Sequence, residues 1–334
     1  MSKGKHSGRV KLIANPSSGD PAESPARLEQ VTRFLLDLGV DVDVALAHPV
    51  KEAVPIVKKA VKKGYSTVIA MGGDGTISAV IRGMAGSDVH LGIIPAGTEN
   101  DIATSLGIPT DLKEACALIA SDHTRDLDLA QISTKKKKKF IFFMVTTIGV
   151  TSTLYPDVKD VPHGDLSNIK DAVMTFLHAK PDPKVFLTLD DESKIEVETM
   201  LVTVTNTPVI AAKNLVAPDA VMDDGLLDIA VYPNFSKADL IAYFAKSANE
   251  NPTPDGKIQR YRARKIKIKT DPKLDIAAEG ILLGQGKATI KVLPRAIRVI
   301  APEPGTGAEK PHAETTDELP APVSIPVNAD AESK

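Results

Sequence analysis

The sequence predicts an α/β N-terminal domain built on a parallel sheet, followed by a mostly antiparallel, β-sandwich-like domain with inserted helices. Three observations carry that reading. Up to about residue 130, short apolar runs alternate with amphipathic helical stretches, as βαβ units do. Beyond it strand-like runs follow one another: Phe140–Thr147, Val185–Leu189, Lys194–Thr205, Leu227–Val231, Ala263–Thr270 and Ala288–Val299. Three of the early runs end in glycine-bearing or small polar loops, Asn15–Gly19, Gly72–Thr76 and Gly97–Asp101. Such loops would line one edge of a parallel sheet, where open α/β sheets bind ligands.

The 334 residues suffice for two cores. The expected domains are residues 8–130 and 131–302, with a Pro-, Ala- and acid-rich tail at 303–334 whose composition predicts disorder.

Val10–Ala14 reads as the first strand. A helix is expected over Ala26–Leu38, where Leu28, Val31, Phe34, Leu35 and Leu38 share a face and Gly39 stops it. Val40–Val44 alternates apolar and acidic residues, as a half-exposed strand does. Glu52–Lys63 reads as a second helix with Val54, Val57 and Val61 inward. Val68–Ala70 is a buried strand, and Thr76–Met84 is the helix after it. Leu91–Ile94 is the next strand, followed by a short helix over Glu99–Leu106 that Thr98 would cap. A helix at Leu112–Ala120 and a strand at Arg125–Leu129 close this part. In the second part, Lys135–Lys139 falls between two strand-like runs, as a solvated hairpin tip does, although a lysine run also attracts anionic lipid. Asp165–Leu177 and Ser236–Asn249 read as inserted helices, the latter capped by Ser236, and Asp223-Asp224-Gly225 as a tight turn.

Bulk properties exclude several classes. A net charge of −2 provides no field for nucleic acid. The single cysteine, Cys116, shares a helix face with Leu112, Ala115 and Ile119 and reads as packing, not as a nucleophile. No apolar run reaches the roughly 18 residues that span a bilayer, and the basic start MSKGKHSGR lacks the apolar segment of a secretory signal. The expectation is a soluble cytoplasmic protein, with transient contact at the inner membrane face as a further possibility.

The chemistry concentrates in Ser66–Ser78, STVIAMGGDGTIS. A strand that turns through glycines into a helix lets backbone N–H groups approach a phosphate. No Lys-Ser/Thr follows at P-loop spacing, and the dinucleotide fingerprint is only half matched, since Ser78 stands at its third glycine. Asp74 is the unusual member. A bare carboxylate about 4 Å from a phosphate oxygen costs on the order of 4 kcal/mol at a surface-like dielectric. An intervening cation, usually Mg²⁺ with phosphates, reverses that sign. Gly72, Gly73, Asp74, Gly75 and Thr76 therefore read as a nucleotide-phosphate cradle with a metal-linked acid.

The four blocks NPSSG, GGDGT, GTENDIA and APDAVMDDGLLDI, in this order, make the chain resemble the diacylglycerol kinase catalytic family, especially its soluble bacterial lipid kinases. Sphingosine and ceramide kinases share these blocks, and NAD kinases share GGDGT. The resemblance covers roughly Val10 to Pro302 and implies ATP-dependent phosphorylation of a lipid alcohol. It assigns Asn15, Pro16, Ser17, Ser18 and Gly19, together with Gly72–Thr76 and Thr98, to ATP. It makes Asp74, Asp101 and Asp128 organisers of Mg²⁺ and the γ-phosphate. It also implies a structural Mg²⁺ held by Asp224 with the carbonyls of Val221 and Leu226.

The chain departs from the family pattern near Glu279. The family reads Asp-Gly-Glu there, its Glu being the presumed base, whereas this chain reads Glu279-Gly280-Ile281. If this segment is a strand, positions 279 and 281 face one side, and Glu279 is the visible base candidate. Ala79 also replaces a Glu that usually follows the glycines, and Ala47 a nucleotide-contacting Thr. These changes leave a catalytically impaired nucleotide-binding pseudokinase as an alternative to a lipid kinase, and the shared GGDGT alone leaves an NAD kinase relative as another.

Overall fold

The computed structural model describes residues 8–48, 50–149, 183–210, 214–236, 238–240, 242–243 and 256–303. The first part runs β1 (Val10–Ala14), α1 (Ser24–Asp37), β2 (Val42–Leu46), a 3-10 turn, α2 (Ala53–Lys62), β3 (Thr67–Gly72), α3 (Asp74–Met84), β4 (His90–Pro95), α4 (Asp101–Leu106) and α5 (Leu112–Ser121). β2, β1, β3 and β4 lie side by side and all parallel, with Leu12 opposite Ile69 and Ile69 opposite Gly92. β3 is buried along its whole length, which explains its unbroken apolar run.

The sheet is covered on both faces. Leu12, Ile69, Ile94, Val31, Leu35 and Cys116 form one core with α1 and α5. Ile13, Val68, Ala70, Val57, Ile77 and Ile81 form the other with α2 and α3. Gly83 is an interlocking contact, because a Cβ there would meet Val57 at 2.6 Å.

The second part comprises β5 (Thr124–Thr134), β6 (Phe140–Phe142), β7 (Val145–Gly149), β8 (Lys184–Leu189), β9 (Ser193–Thr205), β10 (Val209–Ile210), β11 (Asn214–Leu215), β12 (Leu227–Pro233), β13 (Gln259–Ala263), β14 (Lys265–Asp271), β15 (Asp275–Ala278), β16 (Ile281–Gln285) and β17 (Lys287–Ile300). Its pairings are antiparallel, as the succession of strands predicts. β17 does more than the sequence reading expects. It pairs antiparallel with β5 over most of its length, and its end lies parallel to β4, Arg298 opposite His90. β5 and β17 thus pass from the second core, through Ile132 and Ile290, into the first, through Leu127 and Val299. The last strand among the described residues completes the N-terminal sheet.

Four local expectations are corrected. The strand read at Arg125–Leu129 is an 11-residue strand, β5, extended by its pairing with β17. The helix read from Glu99 begins at Asp101 after Asn100 in a left-handed conformation, φ 56°. Thr98 does not cap it. Residues 279 and 280 are not strand: with φ of 48° and 76° they form the tight turn between β15 and β16, Ala278 pairing with Ile281. Ser236 does cap as expected, its Oγ accepting the N–H of Asp239 at 3.1 Å while Asp239 Oδ2 accepts the N–H of Ser236 at 2.8 Å. Most of the helix read after Ser236, and all of Asp165–Leu177, lie outside the described residues. Among those residues, no helix is long and apolar enough to cross a membrane.

Candidate active site

The parallel sheet brings the predicted loops together at the C-terminal ends of β1, β3 and β4. Asn15, the first residue after β1, donates its N–H to Met71 O at 3.1 Å and its Nδ2 to Thr76 Oγ1 at 3.1 Å. Its Oδ1 accepts the N–H of Ser17 at 3.1 Å, which bends the chain back past Pro16. Ser18 Oγ accepts the N–H of Gly73 at 3.3 Å. Gly19, at φ 67°, leaves no room for a side chain: a Cβ would lie 2.7 Å from Ala96 O.

The second and third loops meet through glycines. A Cβ on Gly97 would lie 2.4 Å from the Cα of Gly73, and one on Gly72 would lie 2.6 Å from Thr76. Asn100 closes the third loop, accepting from Gly97 N at 3.0 Å and donating to Gly97 O at 3.0 Å. Thr98 is exposed on that loop, and Gly75 is exposed on the first turn of α3. The amides of Asp74 and Gly75 open α3 and have no acceptor within the helix.

Asp74 joins two helices. It is the first residue of α3, and its carboxylate reaches α4: Oδ2 accepts the N–H of Asp101 at 3.1 Å and Oδ1 that of Ile102 at 2.9 Å. The pairing of Asp74 with Asp101 therefore runs through the Asp101 backbone, with the Asp101 side chain buried alongside. This also corrects the sequence argument that only a divalent ion can offset the Asp74 charge. Helix N-terminal amides already supply positive potential to it.

Asp128 is buried in β5 with both oxygens engaged. Oδ2 accepts the N–H of Gly225 at 2.6 Å and Oδ1 that of Arg295 at 2.8 Å. Arg295 lies in the irregular stretch of β17 between Leu293 and Ile297, at φ 47°. Asp128 thus pins β5, the 222–225 turn and the bend of β17. Its strand neighbour Asp126, on the same side, meets Arg298 at 2.8 Å, and that hydrogen bond holds its carboxyl below the usual range.

Glu279 has a different setting from that of a free base. Its Oε2 accepts from Arg82 Nη1 at 2.6 Å, and Oε1 accepts from the N–H groups of Phe143 at 2.8 Å and Met144 at 3.3 Å. Only 5% of its side chain is exposed. These contacts fix the turn to α3 and hold the Glu279 carboxylate in place. Ile281 beyond it is exposed, while Ala79 and Ala47 are both buried.

At Asp224, the acid assigned to a structural Mg²⁺, both oxygens already have partners within the fold. Asp224 Oδ1 accepts the N–H of Leu226 at 3.0 Å, and Oδ2 is paired with the guanidinium of Arg262. Arg262 also reaches Asp228 Oδ1 at 3.3 Å, its cross-strand partner on β12. A guanidinium thus provides the positive charge at this carboxylate. Val221 is exposed at the other side of the turn. Among the described residues, no group of three or more His, Cys, Asp or Glu side chains is placed to hold a metal.

Three residues absent from the sequence reading belong to this region. His48, after β2, places Nδ1 3.0 Å from Ser17 Oγ and so brings a fourth strand end to the loops. Arg27 on α1 donates to Asp20 O at 2.7 Å and braces the first loop. Arg82 holds Glu279. The signal for His48 was its place at a strand end; for Arg82 and Arg27, isolated cations on helices, the sequence contains none.

Most of the chain is similar to known proteins. Residues 9–132 match the model of the diacylglycerol kinase catalytic domain, and residues 159–301 that of the YegS C-terminal NAD kinase beta sandwich-like domain. A diacylglycerol kinase of Mycobacterium tuberculosis is 30% identical over 301 residues, 89% of this chain and 96% of that one. A probable lipid kinase YegS of Escherichia coli is 27% identical over 296 residues, 87% of this chain and 95% of the relative. The crystal structure of a putative diacylglycerol kinase from Bacillus anthracis superposes with a TM-score of 0.71 at 23% identity, covering 89% of this chain and 98% of that one, which shows the shared fold.

Proposed function

Because this chain belongs to the diacylglycerol kinase catalytic domain family, we propose that it transfers the γ-phosphoryl group of ATP to the hydroxyl of a diacylglycerol-like lipid alcohol. The observation that carries this reading is the convergence of the Asn15–Gly19, Gly72–Thr76 and Gly97–Asp101 loops at one sheet edge, tied by Asn15–Thr76, Ser18–Gly73 and the Gly73–Gly97 approach.

In this reading the triphosphate lies against the exposed amides that open α3, with Ser17 and Ser18 beside it and Thr98 across from them. The lipid oxygen attacks the γ-phosphorus, the bond from phosphorus to the bridging oxygen breaks, and ADP leaves. The hydroxyl proton passes to solvent or to the transferred phosphate. Glu279 has no part in that transfer. Phosphoryl transfer depends chiefly on positioning and charge stabilisation, so a fixed base is dispensable.

A Mg²⁺ ion arriving with the triphosphate fits Asp74, each of whose oxygens accepts a single N–H and keeps a free lone pair. When bound, it neutralises the charge developing on the phosphates. Asp74 and Asp101 hold the two loops in register, and Asp128 and Glu279 support that frame from the second part of the chain. The test is phosphate transfer from ATP across a panel of lipid alcohols with mass detection; no product from any of them overturns this reading.

A second reading, a nucleotide-binding protein with impaired transfer, is favoured by the engaged Glu279 and the exposed Ile281. ATP binding without turnover, restored by Ile281→Glu, would mark an impaired enzyme; binding without restored turnover would mark a pseudokinase.

A further inference from the structure

We propose that the Lys135–Lys139 turn and the Ile281–Leu282 tip form one docking surface for an anionic lipid bilayer. The sequence treats them as unrelated features 142 positions apart, from Lys139 to Ile281. The fold places them side by side. Thr134, the last residue of β5 before the lysines, donates its hydroxyl to Leu283 O at 2.5 Å. Across the same contact, a Cβ on Gly284 would lie 3.1 Å from Thr134 Oγ1 and 3.6 Å from Lys136 Cβ. Gly284 to Ile281 is three steps along a strand, about 10 Å.

All five lysines are exposed. Within the turn, the N–H of Lys137 meets Thr134 Oγ1 and the carbonyl of Lys138 accepts from Ser133, so backbone bonds hold the turn and leave the side chains pointing outward. Ile281 is 42% and Leu282 51% exposed, at the open end of β16, whose ladder partner among the described residues is β15. An exposed aliphatic hairpin tip tied through β16 to a turn of five lysines matches the interface of an anionic membrane: lysines meet headgroup phosphates and the tip enters the acyl boundary. Single-stranded nucleic acid is held by planar side chains that stack its bases, and the exposed partners here are aliphatic. The turn carrying Ile281 is fixed to α3 by Glu279 and Arg82, so the surface is rigidly joined to the helix that opens at Asp74.

The test is sedimentation of the full chain with phosphatidylcholine vesicles, with and without an equal part of phosphatidylglycerol. It reads binding alone and stands whether or not phosphate transfer is observed. The chain is expected to pellet with the mixed vesicles and to be released by salt. Each Lys→Gln change at 135, 137 or 139 should weaken the partition coefficient about fivefold. Leu282→Ser, on the other strand, should weaken it about tenfold. Melting curves confirm that each variant folds, and the two sites serve as independent checks. Equal pelleting with neutral vesicles, partition unchanged by the lysine substitutions, or displacement by an RNA oligonucleotide would overturn the proposal, the last by assigning the surface to nucleic acid.

Discussion

Arg82 of α3 and Glu279 of the β15–β16 turn are joined by a 2.6 Å ion pair, 197 positions apart in the chain. The pair is mostly withdrawn from water, and the remaining Glu279 oxygen is satisfied by two main-chain amides. These contacts support the positioning role proposed for Glu279. Its place in a left-handed conformation is kept because the surrounding contacts determine it.

Removing one partner of such a pair leaves the other charge buried, at a cost of about 3 kcal/mol. Glu279→Gln is expected to lower the melting temperature by that equivalent. The apparent pH dependence of phosphate transfer should stay unchanged, which separates positioning from base catalysis. Loss of transfer at full stability would contradict this assignment.

Gly97→Ala tests the junction of the second and third loops. The added methyl would overlap the Gly73 backbone, which has no flexible end to move aside. Overpacking of this kind costs roughly 1–3 kcal/mol. ATP affinity, measured by calorimetry, should fall with it, whereas Gly86→Ala, in open space at φ 76°, should cost stability through backbone strain but leave ATP affinity intact.

Arg262 predicts independence from divalent ions at Asp224. Chelation by EDTA should leave the melting temperature of the ligand-free chain unchanged. Arg262→Ala should destabilise it, by leaving Asp224 and Asp228 facing each other, and Mg²⁺ should then recover part of the loss. A large EDTA effect on the unsubstituted chain would show that a cation, not the guanidinium, holds this turn.

Cys116 is fully buried between α5 and α1, and burial pushes its thiol up to about 12, with Asp111 adding to the effect. A raised thiol pKa means that the folded chain resists ionisation, so its contribution to stability is present below the ordinary value of 9.0 and is lost as pH rises toward 12. Labelling with iodoacetamide at pH near 8 should be negligible in the native chain and complete after denaturation. Fast native labelling would show that the α1–α5 interface opens.

The parallel half of the fold was legible because its signals are local. Strand β3 is a buried six-residue strand around the apolar run Val68–Met71, α1 carries Val31 and Leu35 at helical spacing, and glycines mark the loops. The approach of the three loops at one sheet edge followed from those signals. What the sequence hid depends on contacts between distant residues. Nothing near Glu279 announces Arg82, and a type of residue that usually accepts protons reads as a base until its partners are known. The same holds for Arg262, whose role arises from lying opposite Asp228 in a ladder. The capping of α4 by Asp74 escaped for this reason too, since caps are sought next to their own helix.

The account rests on Asp74 aligning the phosphate-binding loops for transfer. The most direct measurement compares transfer of labelled γ-phosphate from ATP to a lipid alcohol by the unsubstituted chain and by Asp74→Ala, each with and without Mg²⁺. The account predicts Mg²⁺-dependent lipid phosphate from the former and a loss on the order of 10²-fold or more in the variant, while the variant keeps its fold apart from a capping loss of about 1 kcal/mol. Equal transfer by both chains, or transfer unaffected by removing Mg²⁺, would contradict it.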